Sequence, residues 1–256
     1  MPSSSEIKPK KTVIAINGFL GRTSDWNFIR ELLPTGWELH AIDLWNEENI
    51  ADFDPWAQQM CDEIERAYSA NDTKILLGYS MGGRLAMHLL AKSPLLFSGA
   101  VIISANPGLL TDTERLMREE ADEIWAKKFL KDPWPRLMQE WEAQTTLRPP
   151  KVSDQDAVHL DRKESEFDRS LIARVLRAWT LGRQRNLRPE IAQIALPIEF
   201  ITGEDDVKFT SLARDMLKEQ AKGLRMHVIV AKAGHRVPWD APTQFRAILA
   251  KFLSRW

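Results

Sequence analysis

Between Lys74 and Lys92 the chain reads KILLGYSMGGRLAMHLLAK, an apolar run that passes into a helical apolar pattern with no linker between them. A short run with no polar alternation is a strand covered on both faces, and a strand that enters a helix at once must return through a crossover to a parallel neighbour. This stretch therefore selects an α/β architecture with a mostly parallel sheet. The rest of the chain fits that choice: the runs at 12–17, 37–42, 74–79, 99–104, 197–202 and 226–231 read as strands, separated by longer amphipathic stretches. Asp54-Pro55 predicts an N-cap followed by proline at the first helical position, opening a helix that runs to about Ala70. A second helix follows Ser80 and ends near Pro94, and residues 242–256 close the chain as another.

From Thr111 to Pro189 the alternation stops, and the segment turns helical and charged, with Trp125, Trp134, Trp141 and Trp179 along it. The expected organisation is a core made of residues 1–110 and 190–256, interrupted by a helical cap insertion at 111–189. No internal repeat is present, and only the first eleven residues are of low complexity.

Charge excludes several functions. With 35 Lys and Arg against 36 Asp and Glu the net charge is −1, so bulk electrostatics favours neither nucleic acid nor an anionic membrane. Residues 111–190 hold 16 basic and 16 acidic side chains, so any preference for anions must come from where particular arginines point. No run has the length of a membrane span or the apolar core of a signal peptide, and the expected location is the cytoplasm. Cys61 is the only cysteine, which rules out an intrachain disulfide, and its helical setting predicts a buried, inert thiol.

The chemistry centres on Gly78-Tyr79-Ser80-Met81-Gly82, a Gly-x-Ser-x-Gly pattern placed after a predicted strand and before a predicted helix. A turn this abrupt strains the serine backbone and needs small neighbours, and it leaves the hydroxyl exposed beside a helix N-terminus that favours developing negative charge. In this arrangement an acid and a histidine follow, each at the end of a later strand. Glu204-Asp205-Asp206 follows one such strand and His235 the next, with both Asp205 and Asp206 in reach of the acid role. The other histidines lie in a helix (His88), in strands (His40, His227) or in the insertion without metal-ligand spacing (His159), so neither a metal nor a cofactor is expected. An oxyanion hole would use the N–H of Met81 and a second from the loop after the first strand, at Phe19, beside Gly18.

These residues identify a resemblance to the α/β-hydrolase superfamily over nearly the full chain. Within it, GYSMGGRLA, NPGL (106–109), WAKKFL (125–130), QEWEAQ (139–144), GEDDVKF (203–209) and AGH (233–235) together resemble the 2-succinyl-6-hydroxy-2,4-cyclohexadiene-1-carboxylate synthases of menaquinone biosynthesis. The resemblance implies Ser80, Asp206 and His235 as a catalytic triad, Phe19 and Met81 as oxyanion donors, and Tyr79, Arg84, Arg118 and Trp141 as substrate contacts. Arg162 stands two residues from the place of a further family arginine. The implied substrate is a small, multiply carboxylated molecule, which suits bidentate guanidinium groups, and the implied reaction is elimination of pyruvate. The chain departs from the superfamily at Asn17-Gly18, where His-Gly is usual, at Asp43-Leu44-Trp45-Asn46-Glu47, and at Trp239. Two other readings share the scaffold: a carboxylic-ester hydrolase acting through an acyl-enzyme, and a binding protein without catalysis. The sequence is silent on oligomeric state.

Overall fold

The computed structural model describes residues 9–31, 33–47, 50–218 and 223–256, so the first eight residues of the polar N-terminal tract lie outside it. In chain order the elements are β1 (Lys11–Ile16), α1 (Asn27–Arg30), β2 (Trp37–Ile42), α2 (Phe53–Ala67), β3 (Thr73–Tyr79), α3 (Met81–Lys92), β4 (Gly99–Ile103), α4 (Asp112–Lys131), α5 (Trp134–Glu142), α6 (Arg169–Ala178), α7 (Arg188–Gln193), β5 (Ile198–Gly203), α8 (Val207–Lys218), β6 (Arg225–Val230), α9 (Val237–Asp240) and α10 (Pro242–Leu253). Each of the six strands falls within one residue of its sequence-based range.

All strand pairs are parallel, in the order β2-β1-β3-β4-β5-β6. The order reverses beside β1, and ligands in open parallel sheets bind at the carboxyl edge near such a reversal. Register aligns that edge, since Ile16 lies opposite Gly78 and Tyr79 opposite Ile103. The loops after β1 and β3 are thereby neighbours.

Alternate strand residues feed two cores. Ile14, Ile16 and Leu76 pack with Trp56, Leu85 and Leu89 on one face, and Val13, Ala15, Ile75 and Leu77 pack with Trp26, Phe245 and Phe252 on the other. Both faces are covered, which is why the strands are uninterrupted apolar runs. A third cluster gathers Phe129, Trp134, Leu137, Ile172 and Leu176 from α4, α5 and α6 around Leu20. The helical segment between β4 and β5 is thus seated on the loop after β1.

One helix start differs from expectation. Asp52, not Asp54, is the N-cap of α2, and the helix stops at Ala67 because Tyr68 is extended. Asp54 and Pro55 occupy the first turn instead, where a proline forfeits no hydrogen bond because first-turn N–H groups have no intrahelical acceptor. Cys61 lies buried on α2, and burial pushes its thiol pKa up, away from reactivity.

Candidate active site

Ser80 joins β3 to α3 with φ 52° and ψ −112°, a conformation that costs a non-glycine residue free energy. It is held by hydrogen bonds from its N–H to the Ile103 carbonyl (2.8 Å) and from Arg84 N–H to its own carbonyl (3.1 Å). The glycines around it are required by contact: a Cβ on Gly78 would lie 2.6 Å from the Gly82 carbonyl oxygen, and one on Gly82 would lie 2.2 Å from that of Ile16. Helix α3 is thereby pressed against the end of β1. Met81 opens α3, so its N–H is one of the helix's unpaired donors, and Met81 lines the same chamber as Phe19.

Residues from β5 and β6 complete the cluster. His235 Nε2 is 2.9 Å from Ser80 Oγ, and His235 Nδ1 is 3.0 Å from Asp206 Oδ2. Both His235 and Asp206 are buried, and the imidazole is flanked by the rings of Phe209 and Tyr79 at 4.5 and 5.7 Å. Asp206 directs its carboxylate inward from the start of α8. Asp205 points away, accepting the Lys151 N–H at 2.7 Å, so the two neighbouring aspartates have separate partners.

Ser80 lies between two chambers that share Phe19, Trp141 and Leu147 as walls. The first, about 140 Å³, is lined by Arg84, Arg118, Asp122 and Lys208 together with Met81 and His235. The second, about 80 Å³, is lined by Tyr79, Asp25, Arg162, Glu142, Arg236 and Trp239. Their electrostatics differ. Arg84 donates to the Trp179 carbonyl at 2.9 Å and to Gln184 Oε1 at 3.5 Å, and no carboxylate pairs with it among the described residues. Burial, with help from Arg118, pulls its pKa down to about 9, which leaves it charged at neutral pH. Arg118 Nε meets Asp122 at 2.9 Å, and that carboxylate also accepts from Thr180 Oγ1. In the second chamber Arg162 is bound by both oxygens of buried Asp25 (3.0 and 2.7 Å), and Arg236 by both oxygens of Glu142 (2.7 and 2.6 Å). Cationic charge is therefore in excess only in the first chamber. Burial pushes the Tyr79 phenol far above its usual range, so it stays neutral.

The sequence-predicted residues thus divide. Ser80, Asp206 and His235 are in hydrogen-bond contact; Phe19, Met81, Arg84, Arg118 and Trp141 line the first chamber; Tyr79 and Arg162 line the second. Arg84 and Arg118 line the same chamber, whereas Arg162 lines the other, where its charge is taken up by Asp25. Trp239 both lines the second chamber and packs on Tyr79 and Trp26 at 5.0 and 5.3 Å. Trp45, from the departing loop after β2, hydrogen-bonds the Gly21 carbonyl and packs on Phe19. Sequence reading missed Lys208, Arg236, Glu142 and Asp25. Lys208 and Arg236 could have been found as cations within two residues of Asp206 and His235, whereas nothing local marks Glu142 or Asp25. The described residues contain no cluster of His, Cys, Asp and Glu suited to a metal ion, and no helix long and apolar enough to cross a membrane.

A relative from Serratia proteamaculans, named 2-succinyl-6-hydroxy-2,4-cyclohexadiene-1-carboxylate synthase, is 32% identical over 94% of this chain and 92% of its own. One of the same name from an Enterobacter species is 28% identical over 94% and 91%. Among solved structures, MenH from S. aureus superposes with a TM-score of 0.84 at 20% identity, covering 98% of this chain and 96% of that one. A Bacillus subtilis carboxylesterase superposes at 0.65 with 17% identity over 96% and 84%; at these identities both structures speak to the fold alone. The family model of the alpha/beta hydrolases matches residues 13–248, and with the doubly covered parallel sheet and the strained serine turn it establishes that this chain belongs to the alpha/beta hydrolase family.

Proposed function

We propose that the protein is a carbon–oxygen lyase that eliminates pyruvate from 2-succinyl-5-enolpyruvyl-6-hydroxy-3-cyclohexene-1-carboxylate, giving 2-succinyl-6-hydroxy-2,4-cyclohexadiene-1-carboxylate. The observation that carries this reading is the first chamber: a buried arginine with no carboxylate partner among the described residues, lining the same space as Ser80, in a chain whose relatives bear that synthase's name. An ester substrate needs no such cation, whereas a carboxylate gains charge-assisted hydrogen bonds from it.

In this reading Ser80, Asp206 and His235 form the catalytic triad. His235 Nε2 takes the Ser80 proton and the Asp206 carboxylate holds the imidazole in the tautomer that can accept it. The Ser80 alkoxide removes a ring proton, the electron pair forms the new ring double bond, and the ring carbon–oxygen bond breaks. The enolate-like charge is held by the N–H groups of Phe19 and Met81. The departing group leaves as the enol of pyruvate, taking the proton that His235 returns. Arg84 and Arg118 bind carboxylate oxygens, while Tyr79, Trp141 and Arg162 shape the walls. The helical stretch 111–189 serves as the cap that closes over Ser80 and keeps water out, and the enzyme works in the cytoplasm on a small anionic substrate with no cofactor.

Release of pyruvate from the cyclohexene substrate, measured against hydrolysis of a simple chromogenic ester, tests the reading. Wild type is expected to release pyruvate, and Ser80→Ala to retain its fold while losing turnover by about 10⁴-fold or more. Steady ester hydrolysis without pyruvate release would assign the protein to the hydrolases instead.

A further inference from the structure

Residues 143–168 link α5, which ends at Glu142, to α6 with only short 3-10 turns at Thr145–Leu147 and Glu164–Glu166, an unusual length of irregular chain for a compact domain. The first part of this link is fastened to both loops that carry the acid and the histidine. Glu142 accepts from Arg236, the residue after His235, through both carboxylate oxygens. Lys151 N–H donates to Asp205, the residue before Asp206, at 2.7 Å, and the Lys151 ammonium lies 3.8 Å from the same carboxylate. Asp205 N–H in turn donates to the Ala233 carbonyl at 3.0 Å, two residues before His235. Asp205 is therefore a junction of three segments: the acid loop, the histidine loop and the link. Packing there is close, because a Cβ on Gly203 would lie 2.1 Å from the Gly234 carbonyl oxygen, and one on Gly234 would be 3.4 Å from the Arg148 carbonyl oxygen. Further along, Asp156 and Val158 are tied to Thr243 and Trp239.

The geometry points to residues 142–151 as a strap that holds His235 and Asp206 at their working separation, with Glu142, Arg236 and Asp205 as its positioning residues. None of the three hydrogen-bonds the serine; each acts through the loop backbone that carries His235 or Asp206. A strap of this kind makes the alignment of the imidazole depend on the helical segment being seated. The inference rests on the reading of Ser80, Asp206 and His235 as the reacting set.

The test compares Asp205→Ala, Asp205→Asn and Glu142→Gln with wild type. Readouts are kcat and KM for pyruvate release, and the low-field proton resonance of His235 Nδ1–H against Asp206. Misplacement of a reacting group by about 1 Å costs on the order of 10²-fold, so Asp205→Ala should lower kcat by about that factor with KM changed by less than about threefold. Asp205→Asn keeps an oxygen for the Lys151 N–H and should restore kcat to within about threefold of wild type. Glu142→Gln should lower kcat by about tenfold and broaden or shift the imidazole resonance, as Asp205→Ala should. The inference is overturned if Asp205→Ala turns over at the wild-type rate, if Asp205→Asn loses as much as Asp205→Ala, or if the resonance is unchanged in both Asp205→Ala and Glu142→Gln. Absence of pyruvate release from wild type would instead defeat the lyase reading, and the resonance would still report on the strap.

Discussion

Gly82→Ala tests the coupling between fold and chemistry most directly. The added Cβ would sit 2.2 Å from the Ile16 carbonyl oxygen and 2.3 Å from that of Asn17, both backbone atoms at the end of β1. A comfortable carbon–oxygen approach is about 3.3 Å, so α3 and the β1 loop must separate by about 1 Å. Ile16 is fully buried and paired on both sides, to Ile42 and Gly78, so the sheet resists the shift. The displacement falls instead on the loop at Gly18 and Phe19 and on the first turn of α3, the two segments that would supply the oxyanion donors. Donors work only within about 2.7–3.1 Å of the oxyanion, and loss of one costs about 10²–10³ in kcat. Overpacking adds about 1–3 kcal/mol of destabilisation, a fall of about 2–12 °C in Tm for a chain of this size. The comparison variant is Gly99→Ala, whose Cβ meets the Trp256 ring at 2.7 Å, the side chain of the last residue and not backbone. Pyruvate release and thermal melting are measured on both. A folded Gly82→Ala protein with kcat within about threefold of wild type would refute the reasoning that backbone proximity here sets the oxyanion geometry.

Further outcomes follow from Arg84 and His88. Arg84→Met should reduce kcat/KM for the anionic substrate by about 10–150-fold, the value of a hydrogen bond to a charged group. His88 is buried on α3, stacked on Phe53 at 4.4 Å; burial, and then Arg185, holds its pKa down to about 4, against the pull of Asp54. The unfolded chain therefore binds a proton here more tightly than the folded one, so the stability is fully present above about pH 6.5 and is lost as pH falls toward 4. The loss should amount to a few kcal/mol, on the order of 1.4 per unit of pKa, and denaturant unfolding of His88→Leu should show a flatter profile across that window.

Much of the site was legible because its requirements are local. A serine squeezed between Gly78 and Gly82, after one apolar run and before a helical pattern, announces a strained turn from neighbouring residues alone. The acid and the histidine were readable because each follows a strand whose apolar pattern is equally local. Asp205 and Asp206 could not be separated by any such signal, since they are adjacent in the chain and alike in chemistry; only the resemblance chose between them, and packing then gave each a different partner. Arg162 shows the same limit. Its type suits a substrate carboxylate, but Asp25, 137 residues away, occupies both arms of its guanidinium. The start of α2 was misjudged by two residues because Asp52 and Asp54 both suit a cap, and a proline is tolerated anywhere in the first turn.

The amino-acid sequence by itself determined the parallel sheet, the order of its strands along the chain, and which serine, acid and histidine stand at strand ends, because hydrophobic period and turn sterics act between near neighbours. Tertiary structure alone decided which charges neutralise one another. Among 35 cations and 36 anions the pairing depends on distances set by packing across the whole chain, and among the described residues it leaves Arg84 without a carboxylate while giving one to Arg118, Arg162 and Arg236.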